Sequence, residues 1–310
     1  MATTSVTAGA PPVRPSRRKN AQRGGLIAWT FALPALAVYF VFLVYPAITS
    51  LFFSFTDWDG LSATYNLVGV DNYVTMMADP VVLQAMVNNL IWTVVTITVP
   101  VIIGLLLAIA LNGKVKGKPV LRLLFYTPAV LPLVAVASIW GWLYNPQYGA
   151  INAALRAIGL DSLAQPWLGQ DSTALAAVIV PAIWLRVGFP MLLYLAALQG
   201  ISADMYEAAT VDGATKLQQF WHITMPSLRP AHYIVIALSL IDSFKVFDLI
   251  YAMTYGGPGT ATQVMGTWMY FNVFQYYQAG YGTAIAVVIT VIAIAVSIPY
   301  VRSQTKEHAA

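Results

Sequence analysis

Residues 204–226 read DMYEAATVDGATKLQQFWHITMP, a long polar connection between two apolar blocks. Asp204, followed three residues later by Glu207, is a capping-box-like start for a short helix. Met205 to Val211 would form that helix, with paired alanines at 208 and 209. Gly213 supplies the turn, because glycine alone reaches left-handed backbone cheaply. Thr215 is placed to cap a second short helix, and Pro226 to close it off from the next apolar block. Two short helices meeting at a glycine make a protruding hairpin. Its small alanines let another surface come close, and Glu207 offers one charge at the tip.

The blocks on either side set the class. The chain has 310 residues, 59% of them hydrophobic and only 9% charged. Soluble domains carry about 25% charged residues. The apolar residues fall into six blocks, each able to supply the roughly 20 residues that cross a bilayer core. They are centred on about 26–53, 89–111, 121–143, 173–198, 231–253 and 282–301. The first block is longer than a signal-peptide core and is interrupted by Tyr45-Pro46, so an uncleaved span is expected. Residues 1–24, rich in Ala, Thr, Pro and Arg, are expected to be a disordered tail; residues 25–303 form the membrane domain and 304–310 a second tail. Basic residues give the orientation: 13 of the 16 Lys and Arg fall in the N-terminus, the 113–122 loop, the hairpin connection and the C-terminus. Both termini and the hairpin are therefore expected on the cytoplasmic side of a bacterial-type cell (inner) membrane. The aromatics Trp58, Tyr65, Trp167, Trp268, Tyr276 and Tyr277 suit the outer interface.

Much enzyme chemistry is excluded. There is no cysteine, and the three histidines at 222, 232 and 308 form no ligand pair. GKVKGK at 113–118 is one residue short of a phosphate loop, with Pro119 where Ser or Thr would hold magnesium. GGPG at 256–259 lacks a following helix start. No catalytic arrangement and no metal site is expected, nor a cofactor bound by this chain.

Glu207-Ala208-Ala209, then Gly213, Ile223 and Pro226, match the pattern EAA-x3-G-x9-I-x-L-P, with Met225 for the leucine. This resembles the membrane subunits of binding-protein-dependent ABC importers. FSFTDWDG at 53–60, VGVDNY at 68–73 and FDLIYAMTYGGP at 247–258 are similar to their sugar-type branch, which includes maltose and glycerol-phosphate permeases. NNLIWT at 88–93 departs from the usual NTL. The resemblance implies an all-α type I permease fold of six transmembrane helices, the last five forming a core and the first wrapping round a partner permease. Within it, Glu207, Ala208, Ala209, Asp212, Gly213, Ile223 and Pro226 would form a coupling helix docked on an ATPase. It further implies a homologous second permease, two ATPase subunits that hold ATP and magnesium, and an extracytoplasmic sugar-binding protein.

Charges inside the spans carry the remaining chemistry. Arg186 lies midway along the fourth block, and Asp242, Lys245 and Asp248 in the fifth. Such charges cost about 2.5–3.5 kcal/mol each and face a partner or a wet cavity. On one continuous helix Ser239, Asp242, Ser243 and Val246 would share a face, and Arg186 would share another with Phe189. A polar face beside an aromatic suits a sugar. Two arrangements stay open: a cavity lined by these groups, or an Arg186–Asp242 pair that only neutralises itself. Two other functions also fit: a proton-coupled carrier using Asp242 or Asp248, and a permease for an anionic solute such as a glycerol-phosphate ester held by Arg186.

Overall fold

The computed structural model describes residues 31–113 and 115–307. The tail expected at 1–24, the start of the first span and residues 308–310 lie outside it. Among the described residues the regular elements are all helices, joined by loops, with one isolated bridge between Thr56 and Leu67.

Helix α1, Phe31–Phe53, buries no side chain. A π turn at Phe40–Val44 precedes Tyr45-Pro46. That extra residue in the turn lets the helix carry a proline without ending.

After the outer loop, α2 (Asp71–Ala78) leads into α3 (Pro80–Asn112). Asp79 caps α3 by accepting from Val81 N at 2.8 Å, and Pro80 takes the first helical position, where no N–H is needed. At 33 residues α3 is longer than the 89–111 block, about 50 Å at 1.5 Å per residue. Helices α4 (Lys118–Val130) and α5 (Leu133–Leu143) meet at 101°. The third block is thus sharply bent, and Pro132 sits at the corner, where it forces extended backbone on Leu131. A short α6 (Ala150–Ala157) crosses the following loop.

Helix α7, Asp171–Gln199, is the centre of the fold, with 56% of its most apolar window buried. Its upper half packs Val178, Ile179, Ala182 and Leu185 against Trp92 and α5. Its lower half packs Met191, Tyr194, Leu195 and Leu198 against Ala108 and Leu111 of α3. Gly104 permits this crossing, since a Cβ there would stand 2.7 Å from Pro190.

Then come α8 (Ala203–Val211), a helical arm at 216–227, α9 (Arg229–Ser243), α10 (Asp248–Thr254), α11 (Met265–Phe274) and α12 (Ala279–Glu307). Four helices, α1, α3, α7 and α12, are long and apolar enough to cross a membrane, or five with the bent α4–α5 pair. The fifth block differs from the continuous 231–253 span expected. Its helix stops at Ser243 and restarts at Asp248, with Phe247 at φ −155° and ψ −63° between them.

The outer loop carries a pH dependence. Asp59 accepts from Leu61 N, Ser62 N and Ser62 Oγ at 2.9, 2.7 and 2.6 Å. Asp57 accepts from Asn66 N and Nδ2 at 2.6 and 2.9 Å. These bonds favour the charged forms. They hold Asp57 below its ordinary value and Asp59 at about 2. Depressed carboxyls stabilise above the unfolded value and lose that contribution as pH falls through the folded one. We expect amide protection at Leu61, Ser62 and Asn66 to be complete at neutral pH. It should fall between about pH 4 and pH 2, read by hydrogen exchange corrected for intrinsic rate. Unchanged protection across that range would remove the carboxylates from the loop's support.

Candidate functional site

The hairpin is present, with two local differences from expectation. Ser202, not Asp204, caps α8: its Oγ accepts from Asp204 N at 3.2 Å. Asp204 instead sits in the first turn, where its charge suits the positive helix end. Pro226 does not close off the second arm. A π turn at Phe220–Thr224 precedes it, and the helix runs on into α9 with only Leu228 between.

The turn itself follows the sequence. Gly213 has φ +81°, and Thr215 with Gln218 makes a complete capping box. The arms are tied by Tyr206 Oη to Thr224 Oγ1 at 2.9 Å and by Gln219 Nε2 donating to Thr210 Oγ1 at 2.9 Å. Glu207, Ala208, Asp212, Gly213 and Pro226 are exposed, while Ala209 and Ile223 turn half inward. Ala209, Asp212, Gly213 and Ile223 border a cleft of about 370 Å³ with Gln219 and His222. The sequence reading missed the apolar part of this surface. Val211 is 89% exposed, Leu217 67% and Trp221 58%. Exposed apolar side chains among polar ones mark a surface for another protein.

A second group lies where two helices break. Arg186 ends the first half of α7, at the Val187 interruption, and Asp242 is the penultimate residue of α9. Arg186 donates to Asp242 Oδ2 through Nε at 2.9 Å and Nη2 at 2.7 Å. Its Nη1 donates to Ala182 O at 3.3 Å, and its guanidinium lies 5.7 Å from the Trp92 ring centre. The two residues therefore pair, but the pair is open: the Asp242 side chain is 56% exposed and that of Arg186 26%. Gly188 lets the end of α4 pack close beside it, since a Cβ there would meet Phe125 O at 2.7 Å.

The other expected members divide. Phe189 is exposed and Ser239 half-buried. Ser243 is fully buried, its hydroxyl donating to Leu240 O at 2.8 Å, and Val246 belongs to the packed core. Because α9 ends at Ser243, Val246 does not continue its face. The shared face of Ser239, Asp242, Ser243 and Val246 is thus corrected: Ser239 and Asp242 remain at the surface. Lys245 and Asp248, in the break, are exposed and make no ion pair among the described residues.

Three of the outer aromatics have internal partners. Trp58, Trp167 and Trp268 donate their ring N–H to Ser62 O, Asn152 Oδ1 and Asp79 Oδ2, while Tyr65, Tyr276 and Tyr277 stay exposed.

Comparison with known proteins places this architecture. The chain is 38% identical over 275 residues to the "Probable ABC transporter permease protein YurN" of Bacillus subtilis, covering 88% of this chain and 94% of that protein. It is 34% identical over 278 residues to the "Multiple sugar-binding transport system permease protein MsmF" of Streptococcus mutans, covering 90% and 95%. It superposes on a chain of a bacterial ABC transporter involved in the import of the acidic polysaccharide alginate with a TM-score of 0.81. That match has 25% identity and covers 93% of this chain and 98% of the other. Residues 100–305 match the family described as "Binding-protein-dependent transport system inner membrane component". This chain, an integral membrane protein with the all-α permease fold of ABC importers, belongs to that family of transport subunits.

Proposed function

We propose that the chain is one membrane subunit of an ATP-driven carbohydrate importer of a bacterial-type cell membrane, with both termini cytoplasmic. The observation that carries this is the hairpin: a rigid, capped turn that ends in exposed Glu207, Ala208, Asp212 and Gly213 beside exposed Val211 and Leu217. It serves as the docking element for a separate ATPase, and the 209–223 cleft gives it a shaped face. Two ATPase subunits would hold ATP and magnesium. A homologous permease would complete the path, with α1 free to pack on it, and an extracytoplasmic sugar-binding protein would deliver the solute. The alginate transporter is also known in complex with an alginate pentasaccharide-bound periplasmic protein, which supports that last partner.

The substrate path would pass Arg186, Phe189, Ser239 and Asp242. Because Asp242 already neutralises Arg186, the pair offers hydrogen-bonding groups without a free cation. At the pair itself that favours neutral hydroxylated solutes over a phosphate ester, with exposed Lys245 a cation outside it. Membership of a family of binding-protein-dependent transport subunits weighs against a proton-coupled carrier. Uptake by vesicles carrying the complete transporter tests the reading. Vanadate or ATP depletion should abolish it, and a protonophore should leave it unchanged while ATP is held constant. Uptake that collapses with the protonophore alone would sink the proposal.

A further inference from the structure

Helix α10 has two contrasting faces. Leu249 and Ile250 are buried against α5 and α7. Asp248, Tyr251, Ala252 and Tyr255, spaced i, i+3, i+4 and i+7, share the opposite face, which is exposed or half-exposed. Phe247 stacks on Tyr251, their centres 5.2 Å apart at 16°. Tyr251 lies 4.8 Å from Tyr255, and Tyr270 of α11 lies 5.3 Å from both Phe247 and Tyr251. Phe274 extends the series, 5.1 Å from Tyr270, and buried Phe271 backs it. The rings of Tyr255 and Tyr270 both pack on Tyr251, and the Gln275 amide donates to the Tyr255 hydroxyl.

Three facts say what such a strip is for. It starts at the open ion pair: the backbone N–H of Lys245 donates to Asp242 O, and Phe247 follows two residues later. From there it runs about 12 Å along α10 toward the 256–264 turn. It also carries a carboxylate, hydroxyls and an amide, groups that hydrocarbon would leave unsatisfied, so it faces water or protein. Finally, it alternates ring faces with hydroxyls. A pyranoside presents the complement, an apolar C–H face bordered by hydroxyls. Ring faces take the first and tyrosine hydroxyls the second.

We propose that Phe247, Tyr251, Tyr255, Tyr270 and Phe274 form a carbohydrate track, the leg of the translocation path leading from the 256–264 turn to Arg186 and Asp242. The assignment rests on the carbohydrate reading above.

The test uses the whole transporter in proteoliposomes, supplied with saturating binding protein and radiolabelled maltose, trehalose, cellobiose or diacetylchitobiose. The sugar that the wild type imports is then followed in Tyr255→Leu, Tyr270→Leu and the double variant, beside Tyr255→Phe and Tyr270→Phe. Leucine keeps the apolar bulk and removes the ring; phenylalanine keeps the ring. Each leucine should cut uptake per assembled complex by about two- to tenfold, the worth of one aromatic contact. The two should combine, and each phenylalanine variant should stay within about twofold. Wild-type uptake in the double leucine variant would overturn the track. So would a double variant that loses assembled complex yet keeps the normal rate per complex, which would make the strip an interface between permeases. A wild-type complex whose binding protein stimulates ATP hydrolysis but which imports none of the four sugars defeats the carbohydrate reading itself, and the track with it. Failure of the track alone leaves wild-type sugar import intact, so the two failures are told apart.

Discussion

Gly213→Pro should leave the chain in the membrane at its normal level and lower ATP-driven uptake by about tenfold or more, because it reshapes a docking surface without touching a span. Gly213 has φ +81°, and its N–H donates to Thr210 O at 3.1 Å. Proline fixes φ near −65° and has no N–H, so it opposes both features. Gly213→Ala separates geometry from space. A Cβ at this position meets nothing within 4 Å. Alanine therefore pays only the left-handed strain, about 1–2 kcal/mol, and the ties Tyr206–Thr224 and Gln219–Thr210 hold the arms in place. Uptake by Gly213→Ala should fall far less than by Gly213→Pro. The measurements are the amount of chain in purified membranes, the stimulation of ATP hydrolysis by the binding protein, and uptake. Gly213→Pro with normal uptake would remove the docking role from this hairpin.

The hairpin was legible because its rules are local. A glycine with nothing else to explain it marks a left-handed turn, and a Thr three residues before a Gln marks a cap. The two differences are local ambiguities. Ser202 and Asp204 are both good caps two residues apart, and the Glu207 spacing pointed to the wrong one. Pro226 looked like a stop because proline usually is one. The π turn at 220–224 relieves that conflict, and no residue in FWHIT announces it. In the spans the limit was different. The bend at Pro132 could be read from proline alone. The break at 244–247 could not, since Phe-Lys-Val-Phe is compatible with helix and the surrounding pattern is apolar. That break removed Val246 from the face it was expected to share. Ser243 misled for another reason: a serine that bonds its own helix at Leu240 O can be buried, so its polarity in sequence did not mean a wet surface. The aromatic strip depends on the same break, because its rings meet only when α10 restarts at Asp248.

The ion pair at the two helix breaks yields the second large effect. A pair closed off in the core is strongly destabilised when one partner is removed, by about 3–5 kcal/mol, because the other charge is stranded. This pair is not closed off. The Asp242 side chain is 56% exposed, and Arg186 keeps Ala182 O and the face of Trp92 when the carboxylate is gone. Asp242→Asn should therefore leave the amount of assembled complex within about twofold of wild type, the behaviour of a surface site. Uptake should fall by about tenfold. The amide has the same size and still bonds hydroxyls, but the freed guanidinium now presents a net positive charge to the path. The double variant Arg186→Gln, Asp242→Asn separates charge from geometry. It restores neutrality, and if the unpaired charge alone blocks passage, uptake should recover by several-fold over the single variant. A single variant that is degraded, with the double variant restored in amount, would return the pair to a purely structural role. Normal uptake by Asp242→Asn at normal complex level would take Asp242 out of the path. Between these outcomes stands the arrangement seen here, in which one exposed carboxylate ties α7 to the end of α9.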